Sequence, residues 1–137
     1  MSAIFGILRF DGEPVPPRDI ERMGNTLAHR GPDGRKTAID GSMAMGHCLL
    51  RVNQEDWFEA QPIRDGGLTL VADARIDNRE ALATEIGIAD ADLRDMPDSA
   101  VLLAAYRYWG EDFAEHLVGD FTLAIWDARA KTLLLGR

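Results

Sequence analysis

One cysteine, no basic run and no apolar stretch long enough to cross a bilayer remove several functions at the outset. Cys48 stands alone, so no internal disulfide can form, and its spacing to His29, His47 and His116 matches no metal-ligand pattern. Redox and zinc chemistry lose their support. The fifteen Lys and Arg residues are scattered among twenty-three Asp and Glu, and the formal net charge of −8 opposes a phosphate backbone or an anionic membrane surface. Neither nucleic acid nor a membrane is expected as a partner. The apolar run Ile4–Leu8 is too short to span a bilayer, lacks a basic leader and meets Arg9 and Asp11 at once, so a cytoplasmic protein is expected. Internal repeats, low-complexity tracts and linkers are also missing. What is present is 137 residues, 46% of them hydrophobic, enough for one domain with a single sizeable core.

The pattern along the chain predicts strands at both ends and helices between them. Ile4–Phe10 reads as a buried strand ended by the turn Asp11-Gly12. Pro16-Pro17 opens a helix with Ile20, Met23 and Leu27 on one face, and Asp19 and Glu21 in its first turn suit the helix dipole. Asp40-Gly41 between Arg35–Ile39 and Ser42–Leu50 predicts a hairpin. Leu68–Ala72 reads as a buried strand, followed by a short helix over Asn78–Ile86 with Asn78 as its cap. Asp98 and Ser99 form the expected N-cap of a central helix over Val101–Trp109, with a further short helix marked by Phe113 and Leu117. Phe121–Trp126 and Thr132–Leu135 form a last hairpin across Asp127–Lys131. Strands, then helices, then strands imply antiparallel sheets with segregated helices, an α+β fold.

Four stretches carry a family resemblance: Met1-Ser2-Ala3-Ile4-Phe5-Gly6, His29-Arg30-Gly31-Pro32-Asp33-Gly34, Gln61-Pro62, and Gly119-Asp120-Phe121 running on to Trp126-Asp127. In that order they resemble the class II glutaminase domain of asparagine synthetases and their relatives, over the whole of residues 1–137. The resemblance implies an Ntn-type four-layer αββα sandwich, two stacked antiparallel sheets between helical layers, which agrees with the α+β reading.

The resemblance also implies a site, and here the sequence departs from the pattern. In active members the initiator Met is removed and the next residue is Cys, whose own α-amine serves as base for its thiol. This chain has Ser2 there, a weaker nucleophile that remains chemically competent in principle, since N-terminal Thr and Ser act this way in related folds. The family's oxyanion-holding Asn-Gly-Glu stretch aligns with Asp73-Ala74-Arg75. An ionised Asp73 about 3 Å from a developing oxyanion would repel it by about 5 kcal/mol at an effective dielectric of 20, on top of a lost donor interaction of about 3–4 kcal/mol. Asp73 is expected instead to pair with Arg75 or Arg79, or to be protonated. The Arg that clamps the glutamine carboxylate is replaced by Leu49, and Arg51, two residues on, is read as a surface side chain too distant to substitute. Asp98 matches the acidic residue for the substrate amine, although an N-cap role explains it equally. Ser2, Leu49, Asp73 and Asp98 are expected around one pocket. Cys48 and His47, as strand neighbours, face opposite sides and cannot share a proton.

Three functions compete on this evidence. The first is a degenerate glutaminase domain with a structural or docking role in an ATP-dependent amide-forming ligase, where an amine already in the substrate replaces ammonia. Ala72–Arg79 and Gly119–Asp127 look most like the lasso-peptide macrolactam synthetases, which points to a peptide substrate. The second is an active glutaminase using Ser2 to supply ammonia for asparagine synthesis. The third is a free-standing interaction module. The chain is expected to be the N-terminal part of a longer protein whose C-terminal synthetase domain is its partner. ATP and magnesium are expected only in that domain, with no cofactor or metal in residues 1–137.

Overall fold

The computed structural model describes residues 1–137 and contains seven strands and four α-helices. Strand β1 (Ala3–Leu8) is followed by α1 (Pro17–Leu27), then by β2 (Gly34–Asp40) and β3 (Met43–Leu49). Next come β4 (Ile63–Asp65), β5 (Leu68–Ile76), α2 (Arg79–Ile86), α3 (Asp90–Arg94) and α4 (Asp98–Trp109). The hairpin β6 (Gly119–Asp127) and β7 (Thr132–Gly136) closes the chain. Two antiparallel sheets result, one ordered β1-β3-β2 and the other β4-β5-β6-β7.

Period-two alternation sorts the side chains into three packed layers. Ala3, Phe5, Ala44 and Cys48 point away from the second sheet and pack with Ile20 and Val15 beneath α1. Met43, Met45, Val71, Ala124 and Trp126 meet between the sheets. Leu70, Ala72, Ile76, Leu123 and Ile125 pack against α2 and α4 through Leu82, Val101, Leu102 and Phe113. The order is therefore helix, sheet, sheet, helices: the expected α+β four-layer sandwich.

Boundaries differ where local chemistry overrides the pattern. The first strand ends at Leu8, two residues before the expected Phe10, which is exposed where the chain turns through Arg9–Gly12. The strand at Leu68 runs on to Ile76 because β6 offers partners along its whole length, from Leu68 opposite Asp127 to Ile76 opposite Gly119. Strand β4 and helix α3 were not expected; both are too short to show a period. The turn after α4 is a 3-10 helix over Gly110–His116, with Leu117 just beyond it.

Both expected caps are corrected. Asn78 makes no cap bond to α2; its side chain accepts from Val118 N–H and donates to the His116 carbonyl, each at 2.9 Å, tying the start of α2 to the approach of β6. The N-cap of α4 is Pro97, and Asp98 lies inside the first turn, its carboxylate turned outward to other elements.

Two glycines are required by close approach. A Cβ on Gly31 would lie 2.2 Å from the carbonyl carbon of Cys48, so only glycine lets the 29–34 loop rest on the end of β3. Gly119, at φ +146°, would place a Cβ 2.1 Å from the Arg75 carbonyl oxygen, where β6 joins β5. Both contacts hold the rim of the cavity described next.

Candidate functional site

Where the apolar filling between the sheets stops, a cavity of about 800 Å³ opens. The same alternation that directs Met43 and Met45 inward directs His47 and Leu49 to this end of β3, and Asp73 follows Val71 on β5 in the same way. Ala3 pairs with Cys48, so Ser2 stands one step further on, beside Leu49 and on its face. Ser2 and Leu49 both line the cavity, as the sequence-based register requires.

Ser2 is held at two points. Its hydroxyl accepts the Leu50 N–H at 3.0 Å, and its own N–H donates to Asp73 Oδ1 at 3.2 Å. Asp73 thus lies against the main-chain nitrogen of the residue in the nucleophile position. The expected pairing of Asp73 with Arg75 or Arg79 is overturned: Arg75 bonds Asp77 at 3.0 Å, and Arg79 bonds Asp98. Arg75 shares the face of Asp73 on β5, but its exposed side chain is turned along the strand to Asp77 at the solvent edge. Burial pushes the Asp73 carboxyl above the usual carboxylate range, while the nearby N-terminal charge, the Ser2 N–H and Arg30 pull it back.

Asp98 does not line the cavity. Its carboxylate accepts the Ile76 N–H at 3.0 Å and the Arg79 guanidinium, whose other nitrogen donates to the carbonyls of Leu93 and Met96. Arg79, absent from the expected site, is the reason: it draws Asp98 to the helix side of β5. Ala74, in the stretch aligned with the family's oxyanion-holding residues, is part of the cavity wall.

Arg51 is also corrected. Strand β3 ends at Leu49, so strand parity no longer sets the direction of Arg51. It is half-buried, its guanidinium lies 4.8 Å over the Trp57 ring, and its Nε has no hydrogen-bond partner. It borders a separate cavity of about 100 Å³, also lined by His47 and Glu59.

Three cavity residues were missed. His47 is only 3% exposed, its ring makes no hydrogen bond within the chain, and it is held neutral by burial, which takes its pKa down to about 4 against a weaker opposing pull from Asp56. Glu59 accepts the Ser99 hydroxyl at 2.6 Å and the Ala60 N–H at 3.0 Å; burial nevertheless raises its carboxyl. Ser99 is 1% exposed and serves this bond instead of capping α4. His47 was legible, since parity puts it on the side of Leu49; Glu59 arrives from an irregular loop and leaves no periodic signal.

Gln61 forms another part of the wall. Its amide donates to the Ala72 carbonyl at 2.9 Å and accepts the Ala72 N–H at 2.5 Å, replacing a neighbouring strand at that point. The cavity lining therefore includes Asp56, Glu59, Asp73 and Asp120 against Arg75 and Arg137, and Leu49 offers no charge to a carboxylate. No group of three or more His, Cys, Asp and Glu side chains gathers so as to hold a metal ion, and no helix is long and apolar enough to cross a membrane.

Comparison with known proteins agrees with this architecture. The family model described as a glutamine amidotransferase domain matches residues 1–137. The chain is 29% identical over 142 residues to asparagine synthetase [glutamine-hydrolyzing] 3 of Bacillus subtilis, covering 100% of this chain and 23% of that protein. It is 28% identical to asparagine synthetase B [glutamine-hydrolyzing] of Escherichia coli, covering 100% of this chain and 25% of that protein. With a putative asparagine synthetase of Mycobacterium tuberculosis it shares 31% identity, over 86% of this chain and 20% of the relative. The chain spans about a fifth to a quarter of the length of these relatives. Among solved structures it resembles glutamine phosphoribosylpyrophosphate amidotransferase from B. subtilis, with a TM-score of 0.71 and 17% identity over 93% of this chain and 35% of that one. At that identity the likeness is one of fold.

Proposed function

This chain belongs to the glutamine amidotransferase domain family, as the class II domain of asparagine-synthetase-like proteins, and from that premise we propose that its glutaminase site is silent and its role is structural. In this reading it is the N-terminal domain of a longer ATP-dependent amide-forming ligase. It docks on the C-terminal synthetase domain, which alone would bind ATP and magnesium. The observation that carries the reading is Asp73 Oδ1 at 3.2 Å from the Ser2 nitrogen. A carboxylate stands where an active site needs a neutral base beside an oxyanion donor, and it opposes both the base and the negative charge that develops during acyl transfer. Leu49 compounds this by leaving a substrate carboxylate unneutralised in a cavity whose wall is already acidic.

A ligase whose amine comes from its own substrate needs no ammonia, which suits a macrolactam-forming enzyme acting on a peptide, as in lasso-peptide synthetases. The cytoplasm is the proposed location. The interface with the synthetase domain would include the β6–β7 hairpin, whose Leu135 is exposed.

The test is glutamine at millimolar concentration. No ammonia above background is expected and no thermal stabilisation, whereas a ligand at ten times its dissociation constant would add about 1.4 kcal/mol. A Ser2-linked glutamyl adduct, or a melting shift with glutamine that glutamate does not give, would restore the active-glutaminase reading. For docking, the full-length protein is compared with its synthetase portion lacking residues 1–137. Equal stability and equal amide-forming activity would leave only the interaction-module reading.

A further inference from the structure

We infer that Asp73 is a built-in counter-ion for the chain's own N-terminal ammonium: once Met1 is removed, the α-amine of Ser2 is bound in the cavity as a cation instead of standing free as a base. The inference deepens the silent-site reading above and supplies its atomic cause.

The structure already holds the two atoms in place. The Ser2 N–H points at Asp73 Oδ1 at 3.2 Å while the Ser2 hydroxyl is fixed by the Leu50 N–H at 3.0 Å, so the nitrogen cannot swing away without breaking a second bond. Met1, by contrast, is exposed, open to a processing aminopeptidase, and the small Ser2 favours its removal. Hydrolysis of the Met1–Ser2 peptide bond by water releases methionine and turns the amide nitrogen into an ammonium with three donors. One of them already faces Asp73.

No other cation competes for that carboxylate by direct contact. Arg75 is engaged by Asp77 and Arg79 by Asp98. The Met1 ammonium, which leaves with Met1, and Arg30 act on Asp73 from a distance in the lowering sense, and Asp56 acts in the opposite sense. His47 is neutral, and Glu59 is engaged by Ser99. An ammonium therefore finds its partner in Asp73, and Asp73, half-buried and otherwise penalised by desolvation, finds a partner in the ammonium. The pair stabilises the charged forms of both groups, which is the opposite of what a general base requires.

The experiment begins with the intact mass of the protein expressed from its own initiator codon, where loss of one methionine is expected. The N-terminal amine is then titrated by its rate of acylation against pH, in the folded protein and in urea. A free α-amine titrates near 7.7–8.0; the folded wild type is expected about one unit higher, with acylation roughly tenfold slower at pH 7.5 than in urea. Asp73→Asn should return the folded midpoint to or below the urea value. A folded midpoint equal to that in urea, or retention of Met1, overturns the inference without reference to any variant. The outcome is separable from glutaminase activity: ammonia release with a raised amine midpoint would remove only the silent-site reading, and an ordinary midpoint with no ammonia release would remove only the ion pair.

Discussion

The layer between the two sheets has a dry end and a wet end, built by the same strands. On β3, Met43 and Met45 give way to His47 and Leu49; on β5, Val71 gives way to Asp73; on β6, Trp126 and Ala124 give way to Thr122. The alternation that selects the inward face is identical along each strand, so geometry does not distinguish the ends. Chemistry does: at the dry end the inward side chains are apolar apart from the buried Thr69 and are filled against their neighbours, and at the wet end acidic groups and an unpartnered imidazole surround open space. Changes at the first should register as stability, and changes at the second as chemistry or pH response.

The largest effect that would sharpen this contrast is at the dry end. Trp126→Ala should lower unfolding free energy by about 3–5 kcal/mol, from lost transfer and the cavity left behind. Urea titration measures it; a loss below 1 kcal/mol would mean that the inter-sheet layer is not the packed core described. Next comes acid sensitivity from the wet end. His47 titrates near 4 folded against 6.5 unfolded, so its stabilising effect is complete above pH 6.5 and is lost as pH falls from about 6.5 to about 4. The ceiling is about 3 kcal/mol, and His47→Gln should flatten that slope. Glu59, raised by burial, acts in the opposite sense, stabilising at pH below its folded value and losing that contribution as pH rises through it. A pH profile unchanged in His47→Gln would break the comparison.

Gln61→Leu should destabilise by about 2 kcal/mol, since the Ala72 N–H and carbonyl lose both partners in a buried wall. Amide exchange at Ala72 would report the same loss locally. Smallest of all, Leu49→Arg should change stability by about 1 kcal/mol or less, because the open cavity accommodates the longer side chain. If that substitution unfolded the protein, the wet end would be as tightly packed as the dry one.

The elements that were legible in the sequence are those whose signal is local or periodic. Asp40-Gly41 located the β2–β3 turn, Pro17 the start of α1, and the inward set of β3 followed from parity. Contacts between distant charged residues were not legible, because several arginines and carboxylates satisfy one another equally well on paper. On the sequence alone Asp73 pairs with Arg75 or Arg79, or is protonated, and Asp98 serves either a substrate amine or a helix cap. In the structure Arg79 bonds Asp98 and two carbonyls near α3, a helix too short to announce itself, while Arg75 goes to Asp77 and Asp73 accepts the Ser2 N–H. Glu59 lay outside reach because its loop between β3 and β4 carries no period.

Strand β4 pairs only with Leu68–Leu70, and the remainder of β5 on that side would be a bare edge capable of recruiting a strand from another molecule. Side chains fill it: the Gln61 amide takes both main-chain groups of Ala72, and the Asp98 carboxylate takes the Ile76 N–H. An extended segment approaching this edge would have to displace both before it could form a ladder. Retention of Gln61 and Asp98 is then intelligible without any glutamine to bind, since each guards the sheet against self-association.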